Sequence, residues 1–139
     1  MLKNKTNLTL MSSGNKWSSE KIVNKSSKKL QKLKKKKNFM KLFKLAITNT
    51  SPSFYMKKLK RRNKVFKEFP FLLQTNLKTH YGLKNALKNT QNSSTNSFYI
   101  SLTQEYIKAA DKTSNSFLNK NQIHKTAFTN KKFINYRWF

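Results

Sequence analysis

The chain has 139 residues and a strongly unbalanced charge, with 31 Lys+Arg against 4 Asp+Glu and a formal net charge of +27. Self-repulsion in a compact chain of this charge rivals the roughly 5–15 kcal/mol that holds a domain folded. We therefore expect one domain whose compact form needs a polyanion. The absence of cysteine excludes disulfides and thiolate metal sites, and no apolar run approaches the roughly 20 residues of a membrane span. An A+T-rich coding sequence would raise the lysine and asparagine content, but it would not explain the scarcity of acids.

Two helices separated by a glycine are predicted at the amino end. Residues 7–11 predict the tail of a short helix, which Gly14 ends. Ser18 and Ser19 are typical caps, and they precede Glu20, an acid suited to a helix amino terminus. Apolar residues at roughly helical spacing extend this second helix into a run of lysines.

The lysine run at 34–37 closes the second helix, where cations favour the negative end of the helix dipole. It serves either as a solvated helix end or as a phosphate contact. Asn38 then caps a third helix, whose apolar residues follow the i, i+3, i+4, i+7 rule without a gap. This spacing predicts a core-facing surface formed by Phe39, Leu42, Phe43 and Ala46.

Residues 52–70 lie between Pro52 and Pro70 and predict a β-hairpin, because aromatic and β-branched residues flank a cationic centre. Asn63 tolerates the positive φ that a tight turn needs. Two of the chain's arginines lie here, and their planar forks bind phosphate or stack on bases in ways that lysine cannot copy. The alternative is a solvated charge run in a loop. The predicted cationic tip comprises Lys57, Lys58, Lys60, Arg61, Arg62 and Lys64.

Two more helices are predicted after the hairpin. The fourth begins at Thr75 or Asn76, although Gly82 inside it weakens the prediction. It ends at a polar segment, residues 89–96, which has no apolar side chain and predicts a flexible surface loop. The fifth helix starts at Ser97 and places on one face Tyr99, Leu102, Tyr106, Ala109 and Ala110.

The carboxyl-terminal segment predicts a polar loop over residues 111–122 and then a basic helix with Ile123, Ala127 and Ile134. The predicted fold class is mainly α, with five to six short helices and one protruding β-hairpin, in a single domain over residues 1–139. An aromatic tail closes the chain and contains Phe133, Tyr136, Trp138 and Phe139.

Little in the sequence supports catalysis. The four acids lie on separate predicted elements, which leaves no paired carboxylates for acid–base work or for holding magnesium. His80 and His124 have no evident partners, and two glycines cannot make a phosphate-binding loop. We expect no enzyme activity and no cofactor.

The tail carries an ordered set of residues that resembles a known signature. His124, Ala127, Asn130 and Phe133 are followed by Tyr136-Arg137-Trp138. The last helix of the small-subunit ribosomal protein S-seven family has these residue types at this spacing. An arginine beside aromatic rings also indicates stacking and phosphate contact.

Other stretches resemble the same family in the same order, so the resemblance covers the chain from about Asn7 onward. They are Leu10-Met11 with Gly14 and Lys16, then Glu20 to Val23, then Phe43, Ala46, Asn49 and Pro52, and finally Glu105, Ala109 and Ala110.

The resemblance implies a protein in the head of the small ribosomal subunit. Such a protein binds the 3′ major domain of the small-subunit rRNA, helps to nucleate head assembly, and lies near the exit-site tRNA and the mRNA path. The implied neighbours are head and platform proteins of the S-eleven, S-nine and S-thirteen types. The implied RNA contacts are Lys16, Lys57, Lys58, Lys60, Arg61, Arg62, Lys64, His124, Lys131, Lys132, Tyr136, Arg137 and Trp138.

The chain also departs from the family pattern. It starts after the family's basic amino-terminal arm, so we expect the arm to be missing or supplied by a separate chain. Asn63-Lys64 replaces the usual glycine pair of the tip, and residues 75–78 replace a cluster of arginines, so RNA contacts there are expected to be weaker or redistributed.

The lysine and asparagine bias, the missing arm and the lack of an import signal together predict an organelle-encoded protein of the mitochondrial ribosome, in the matrix. The alternative function is a generic organelle nucleic-acid-binding or RNA-processing factor, whose basic surface would not be specific for rRNA.

Overall fold

Six α-helices and one antiparallel hairpin form the part of the chain that the computed structural model describes, residues 2–33, 38–60, 66–91 and 97–136, without the side chains of Lys60 and Phe66. The prediction of a mainly α fold with one hairpin is confirmed. The elements are α1 (Leu2–Leu10), α2 (Lys16–Leu33), α3 (Phe39–Thr50), β1 (Phe54–Lys60), β2 (Phe66–Leu72), α4 (Thr75–Gln91), α5 (Phe98–Ala110), α6 (Asn115–Thr129) and a 3-10 turn (Lys131–Phe133).

Helix α3 lies at the centre of the core, as its periodicity predicts. Leu42, Phe43 and Ala46 are buried on one face. The ring of Phe43 stacks on Phe39 at 5.5 Å between centroids and meets Tyr106 of α5 edge-on at 5.0 Å. Burial raises the pKa of the Tyr106 hydroxyl well above its usual range, so this group stays protonated in the core.

Three leucines from three other helices complete the core against α3. Leu30 of α2 is 2% exposed, and Leu83 of α4 and Leu102 of α5 are fully buried. Burying a leucine side chain stabilises the fold by about 1.5–3 kcal/mol. The four helices α2 to α5 therefore share one apolar core.

Gly82 lets α4 approach the end of α3 closely. A Cβ atom at this position would lie 2.5 Å from Oγ of Ser51 and 3.1 Å from its Cα. The Ser51 hydroxyl is itself held by donating to the Ile47 carbonyl at 2.7 Å. The glycine that weakens the helix prediction is thus required by packing.

A buried polar chain joins three helices beside this core. Asn89 Nδ2 donates to Ser116 Oγ at 2.8 Å, and the Ser116 hydroxyl donates to Glu105 through a short hydrogen bond. Ser116 is fully buried. This chain fixes α6 against α4 and α5, and it gives Glu105 a structural partner.

Of the two amino-terminal helices, the first agrees with its prediction and the second begins earlier than predicted. Helix α1 covers Leu2–Leu10, so residues 7–10 are its tail, as predicted, and it ends before Gly14. The expected capping of α2 by Ser18 and Ser19 is wrong, because both lie inside the first turn, where their hydroxyls donate to backbone carbonyls at 3.0 and 2.8 Å. The Asn15 side chain accepts the Ser18 N–H at 3.2 Å and caps the helix instead.

The expected capping of α3 by Asn38 is correct in position only. Its carbonyl accepts the Leu42 N–H at 3.1 Å, but its side chain makes no capping hydrogen bond. The lysine run at 34–37 lies outside the described residues.

The predicted polar loops are shorter than expected. Residues 89–91 belong to α4, where Thr90 is buried, and residues 92–96 lie outside the described part of the chain. Helix α6 begins at Asn115, inside the predicted loop over residues 111–122, because Ser114 Oγ accepts the Phe117 N–H at 3.1 Å. Ile134 follows the 3-10 turn and is not helical.

Candidate nucleic-acid interface

The hairpin strands pair in register from Phe54 opposite Leu72 to Lys60 opposite Phe66. The expectation that prolines bracket the hairpin is wrong at one end, since Pro70 lies within β2 opposite Met56. A two-stranded sheet has only edge strands, so a residue without an N–H is tolerated there. Residues 61–65, which include Asn63 and the predicted tip cations Arg61, Arg62 and Lys64, lie outside the described residues.

The root of the hairpin is attached to α6 through His124. The Ser53 N–H donates to His124 Nε2 at 3.0 Å, and the Phe54 ring meets the imidazole edge-on at 5.8 Å. The Leu73 N–H donates to the Ser53 carbonyl at 3.0 Å and closes the root. The expectation that His124 has no evident partner is therefore wrong, and its RNA contact stays a prediction.

The protonation state of His124 is coupled to this attachment. Burial, and then the nearby Lys120 ammonium, hold the pKa of the imidazole below its usual value. Because Nε2 accepts a hydrogen bond, the proton of the neutral ring is on Nδ1. Protonation of Nε2 would remove the acceptor for the Ser53 N–H.

Aromatic rings clamp one face of the hairpin. Phe69, which is 7% exposed, packs on Tyr136 at 4.7 Å and on Phe133 at 5.2 Å between centroids. On the same face, Tyr55 packs on Tyr81 of α4 at 5.4 Å. The segment after α6 therefore folds back onto the hairpin and holds it against the helical part.

Lysines surround this aromatic clamp. The Nζ atoms of Lys67 and Lys132 lie 5.7 and 5.2 Å from the centroid of the Phe133 ring, and that of Lys131 lies 5.2 Å from the Phe128 ring. Lys57 stands opposite Phe69 in the register and thus on the clamped face. We call this the hairpin–tail surface, defined by Lys57, Lys67, Lys131, Lys132, Phe133 and Tyr136.

Sequence reasoning missed Lys67, although it joins the hairpin to the tail. Its position on the second strand, two residues before Phe69, would have placed it on the same face as that ring. Only the fold, however, brings Phe133 next to it. The contact between Lys67 and the Phe133 ring joins two segments that are far apart in the chain. The periodicity of the sequence does not reveal such a tertiary contact.

Three of the predicted tip cations, Lys57, Lys58 and Lys60, are residues of strand β1. Lys57 and Lys58 lie on β1 and point to opposite faces, so the expectation that both belong to the tip is wrong. Lys58 pairs with Glu68 across the strands at 3.1 Å. Lys57 is thus on the clamped face, whereas Lys58 shares its face with an acid.

The remaining predicted contacts are dispersed. Lys16 is the first residue of α2, is exposed, and lies 3.9 Å from Glu20. Its RNA contact stays a prediction. Outside the described residues lie the Lys60 side chain and the whole of Arg61, Arg62, Lys64, Arg137 and Trp138.

The side chain of Lys120 bonds to the backbone of another helix of this chain. Lys120 Nζ donates to the Asn49 carbonyl at 3.0 Å, where α3 ends. Asn49 Nδ2 in turn donates to the carbonyls of Ala109 and Ala110 at 3.0 and 3.2 Å. Burial, and then the neighbouring Lys112, lower the pKa of Lys120. The Lys120 ammonium group thus holds α6 to the end of α3, and Lys120 is not one of the residues of the hairpin–tail surface.

No group of three or more His, Cys, Asp or Glu side chains that could hold a metal occurs in residues 2–33, 38–60, 66–91 and 97–136. Within the same ranges, no helix has both the length and the apolar character needed to cross a bilayer.

A family model for ribosomal protein S7p/S5e matches residues 2–131. The chain belongs to this family. The family resemblance seen in the sequence is thereby confirmed. The family is one of structural, RNA-binding proteins of the small ribosomal subunit and is not an enzyme family. No curated protein matches the sequence significantly.

Proposed function

We propose that this S7p/S5e-family protein is a structural constituent of the mitochondrial small ribosomal subunit. It binds the 3′ major domain of the small-subunit rRNA, helps to nucleate assembly of the head, and lines the path of the exit-site tRNA and mRNA. Neighbouring head and platform proteins of the S-eleven, S-nine and S-thirteen types contact it.

The observation that carries the RNA-binding proposal is the hairpin–tail surface. Lys67 and Lys132 come from different elements, and the Nζ atom of each lies within 5.7 Å of the centroid of the Phe133 ring. Two ammonium groups beside one ring raise the positive potential there and favour a bound anion. An RNA backbone supplies such phosphates, and the clamp holds the lysines in place before binding.

The scarcity of acids supports the same partner. With 4 Asp+Glu against 31 Lys+Arg, most cations have no carboxylate of this chain available to them. Two of these acids, Glu20 and Glu68, already contact lysines, and Glu105 accepts from a buried serine. Counter-charge for the surface must therefore come from another molecule.

The mitochondrial assignment rests on composition. Lysine and asparagine dominate the polar residues, as expected from an A+T-rich genome, while the low number of acids is what rRNA binding requires. Sedimentation of small subunits from purified mitochondria tests this: the protein should migrate with the mitochondrial small subunit. Its recovery with cytosolic ribosomes instead would refute the compartment while leaving the family role intact.

Salt-dependent binding to the 3′ major domain of the rRNA tests the interface. Lys67→Gln combined with Lys132→Gln should reduce the slope of log K against log salt by roughly 1.5, because each lost phosphate contact contributes about 0.7–0.9. Binding should weaken on this rRNA domain in particular. The matched control is Lys41→Gln with Lys44→Gln on α3, which makes the same charge change at two exposed positions.

Equal losses in the two double variants would contradict the assignment of the interface. Equal affinity of the unaltered protein for the rRNA domain and for unrelated RNA would instead favour a generic nucleic-acid-binding factor. The two results are separable because the first compares protein variants and the second compares RNAs.

A further inference from the structure

The outward face of α2 carries a second set of aromatic and basic side chains, separate from the hairpin–tail surface. Val23, Ser26 and Leu30 are buried on the inward face of this helix. Residues 17, 21, 25, 28 and 32 lie on the opposite side, because each step along a helix turns by about 100°. That opposite face carries Trp17, Lys21, Lys25, Lys28 and Lys32, with Asn24 among them.

Trp17 is exposed to an unusual degree for a large aromatic residue. It leaves 68% of its surface uncovered, and Lys21 Nζ lies 4.4 Å from the ring centroid. Trp17 therefore adds little to the core of this chain. A ring with an ammonium group against it and most of its surface in solvent is suited to stack with a flat partner.

A second ring stands at the side of the same helix. Tyr99, near the start of α5, has the Nζ atoms of Lys25 and Lys29 at 5.7 and 5.6 Å from its centroid. The ring is thus framed by two cations of α2. Two aromatic rings and a row of lysines share one side of the molecule, along a helix of about 27 Å.

One acid lies at the edge of this row. Glu20 is turned by about 60° from Trp17 around the helix axis, on the side away from the lysines of the row, and it lies 3.9 Å from Lys16. The outward face of α2 therefore presents aromatic rings and an excess of positive charge, with a single carboxylate at its edge that is already next to a lysine. Stacking rings combined with a cationic track are the features by which proteins hold unpaired nucleotides.

We propose that the outward face of α2 together with Tyr99 is a second RNA-binding surface, which holds an unpaired RNA segment by stacking bases on Trp17 and Tyr99. Lys21, Lys25, Lys28, Lys29 and Lys32 contact the phosphates of that segment. The proposal rests on the ribosomal function proposed above and extends it to a part of the chain that the hairpin–tail surface does not include. A duplex would not bind in this way, because its bases are already stacked on one another.

Photocross-linking in assembled small subunits tests this placement. Ultraviolet irradiation joins stacked aromatic residues to RNA bases directly, and trypsin releases Trp17 in the peptide of residues 17–21 and Tyr99 in that of residues 89–108. We expect RNA adducts on both peptides, in addition to adducts on the hairpin and tail. Adducts on the hairpin and tail alone would overturn the second surface and leave the proposed function standing.

Variants of Trp17 test the stacking itself. In assembled particles, Trp17→Leu should raise the chemical reactivity of the cross-linked bases by roughly 5-fold to 150-fold, the range expected from the free energy of base–aromatic stacking. Trp17→Phe retains an aromatic ring and should leave their reactivity unchanged. Because Trp17 is mostly exposed, neither change disturbs the core.

Charge variants complete the test. Lys25→Gln with Lys29→Gln should expose the same bases, whereas Lys41→Gln with Lys44→Gln on α3 should not. Cross-links from Trp17 to another protein, without RNA adducts, would show that the surface binds a protein and would overturn the proposal. A chain that fails to associate with the small subunit at all would refute the proposed function, and the proposal with it.

Discussion

The helical core and the hairpin are held in place by different means. The core buries leucines from α2, α4 and α5 against α3, and Leu83 and Leu102 have no exposed surface. The hairpin has two strands, and the attachments described for it include a backbone-to-imidazole hydrogen bond and several aromatic contacts. An isolated two-stranded hairpin is at best marginally stable in water, so these attachments set its position.

The two regions of this strongly cationic chain are thus built from different interactions. Apolar packing maintains the core with little help from charge, whereas the hairpin–tail surface gathers lysines around rings that are only partly covered. The core is expected to form cooperatively, while the hairpin is expected to open locally at a lower free energy. Under the proposed function, RNA bound at the hairpin–tail surface would stabilise the region that the chain itself holds least firmly.

The largest expected effect is in the core. Leu102→Ala should lower the free energy of unfolding by about 2–5 kcal/mol, because it removes a fully buried side chain and leaves a cavity. Backbone hydrogen exchange, measured on the protein bound to the rRNA domain, should then accelerate in α2, α3, α4 and α5, the helices that share this core. Leu118→Ala, at a position 59% exposed, is the matched control and should change little. Acceleration confined to α5 would contradict a shared core.

A smaller and more local effect is expected in the clamp. Phe69→Ala should cost about 1.5–3 kcal/mol, the transfer value for one large apolar side chain, because the rings of this surface clamp can close over the gap and leave no enclosed cavity. Exchange should accelerate in β1, β2 and the segment after α6, while α2 and α3 keep their protection. Phe128→Ala removes a ring that is 72% exposed and serves as the control. If Phe69→Ala also loosened α3, the hairpin and core would not be separate units.

The smallest expected effect concerns pH at the hairpin root. Because the folded pKa of His124 lies below its unfolded value of about 6.5, the unfolded state binds more protons between the two values. Stability from this group is present above about pH 6.5 and is lost as the pH falls through the folded pKa. Loss of the Ser53 hydrogen bond should cost about 0.5–1.5 kcal/mol.

Exchange at the Ser53 and Leu73 amides, corrected for the intrinsic effect of pH, measures this change. The protection of these two amides from hydrogen exchange should fall on acidification, both in the unaltered protein and in the His80→Ala variant. In His124→Ala it should already be low and should not vary with pH. A pH response that persists in His124→Ala would assign the effect to another group.

The sequence was most informative where contacts are local. The spacing from Phe39 to Ala46 was enough to identify the buried face of α3, and the apolar arms around the cationic segment were enough to place the hairpin. It was less informative at the start of α6, where Ser114 provides a cap inside a polar stretch that has little apolar periodicity.

Contacts between distant segments could not be predicted from spacing. The pairing of Lys67 with Phe133, and of Ser53 with His124, depends on how α6 crosses the root of the hairpin. The partner of a surface residue is set by this packing and leaves no mark in local sequence. For that reason sequence reasoning assigned Lys57 and Lys58 to one tip and overlooked Lys67.

The absence of a side chain at Gly82 has a consequence for the packing beside the hairpin root. Ser51, which a methyl group at Gly82 would strike, is two residues before the root at Ser53. An added methyl group would collide with Ser51 and push α4 away from the end of α3, the point from which the chain continues to the hairpin root. The close approach of these two helices beside the hairpin therefore depends on the missing Cβ atom.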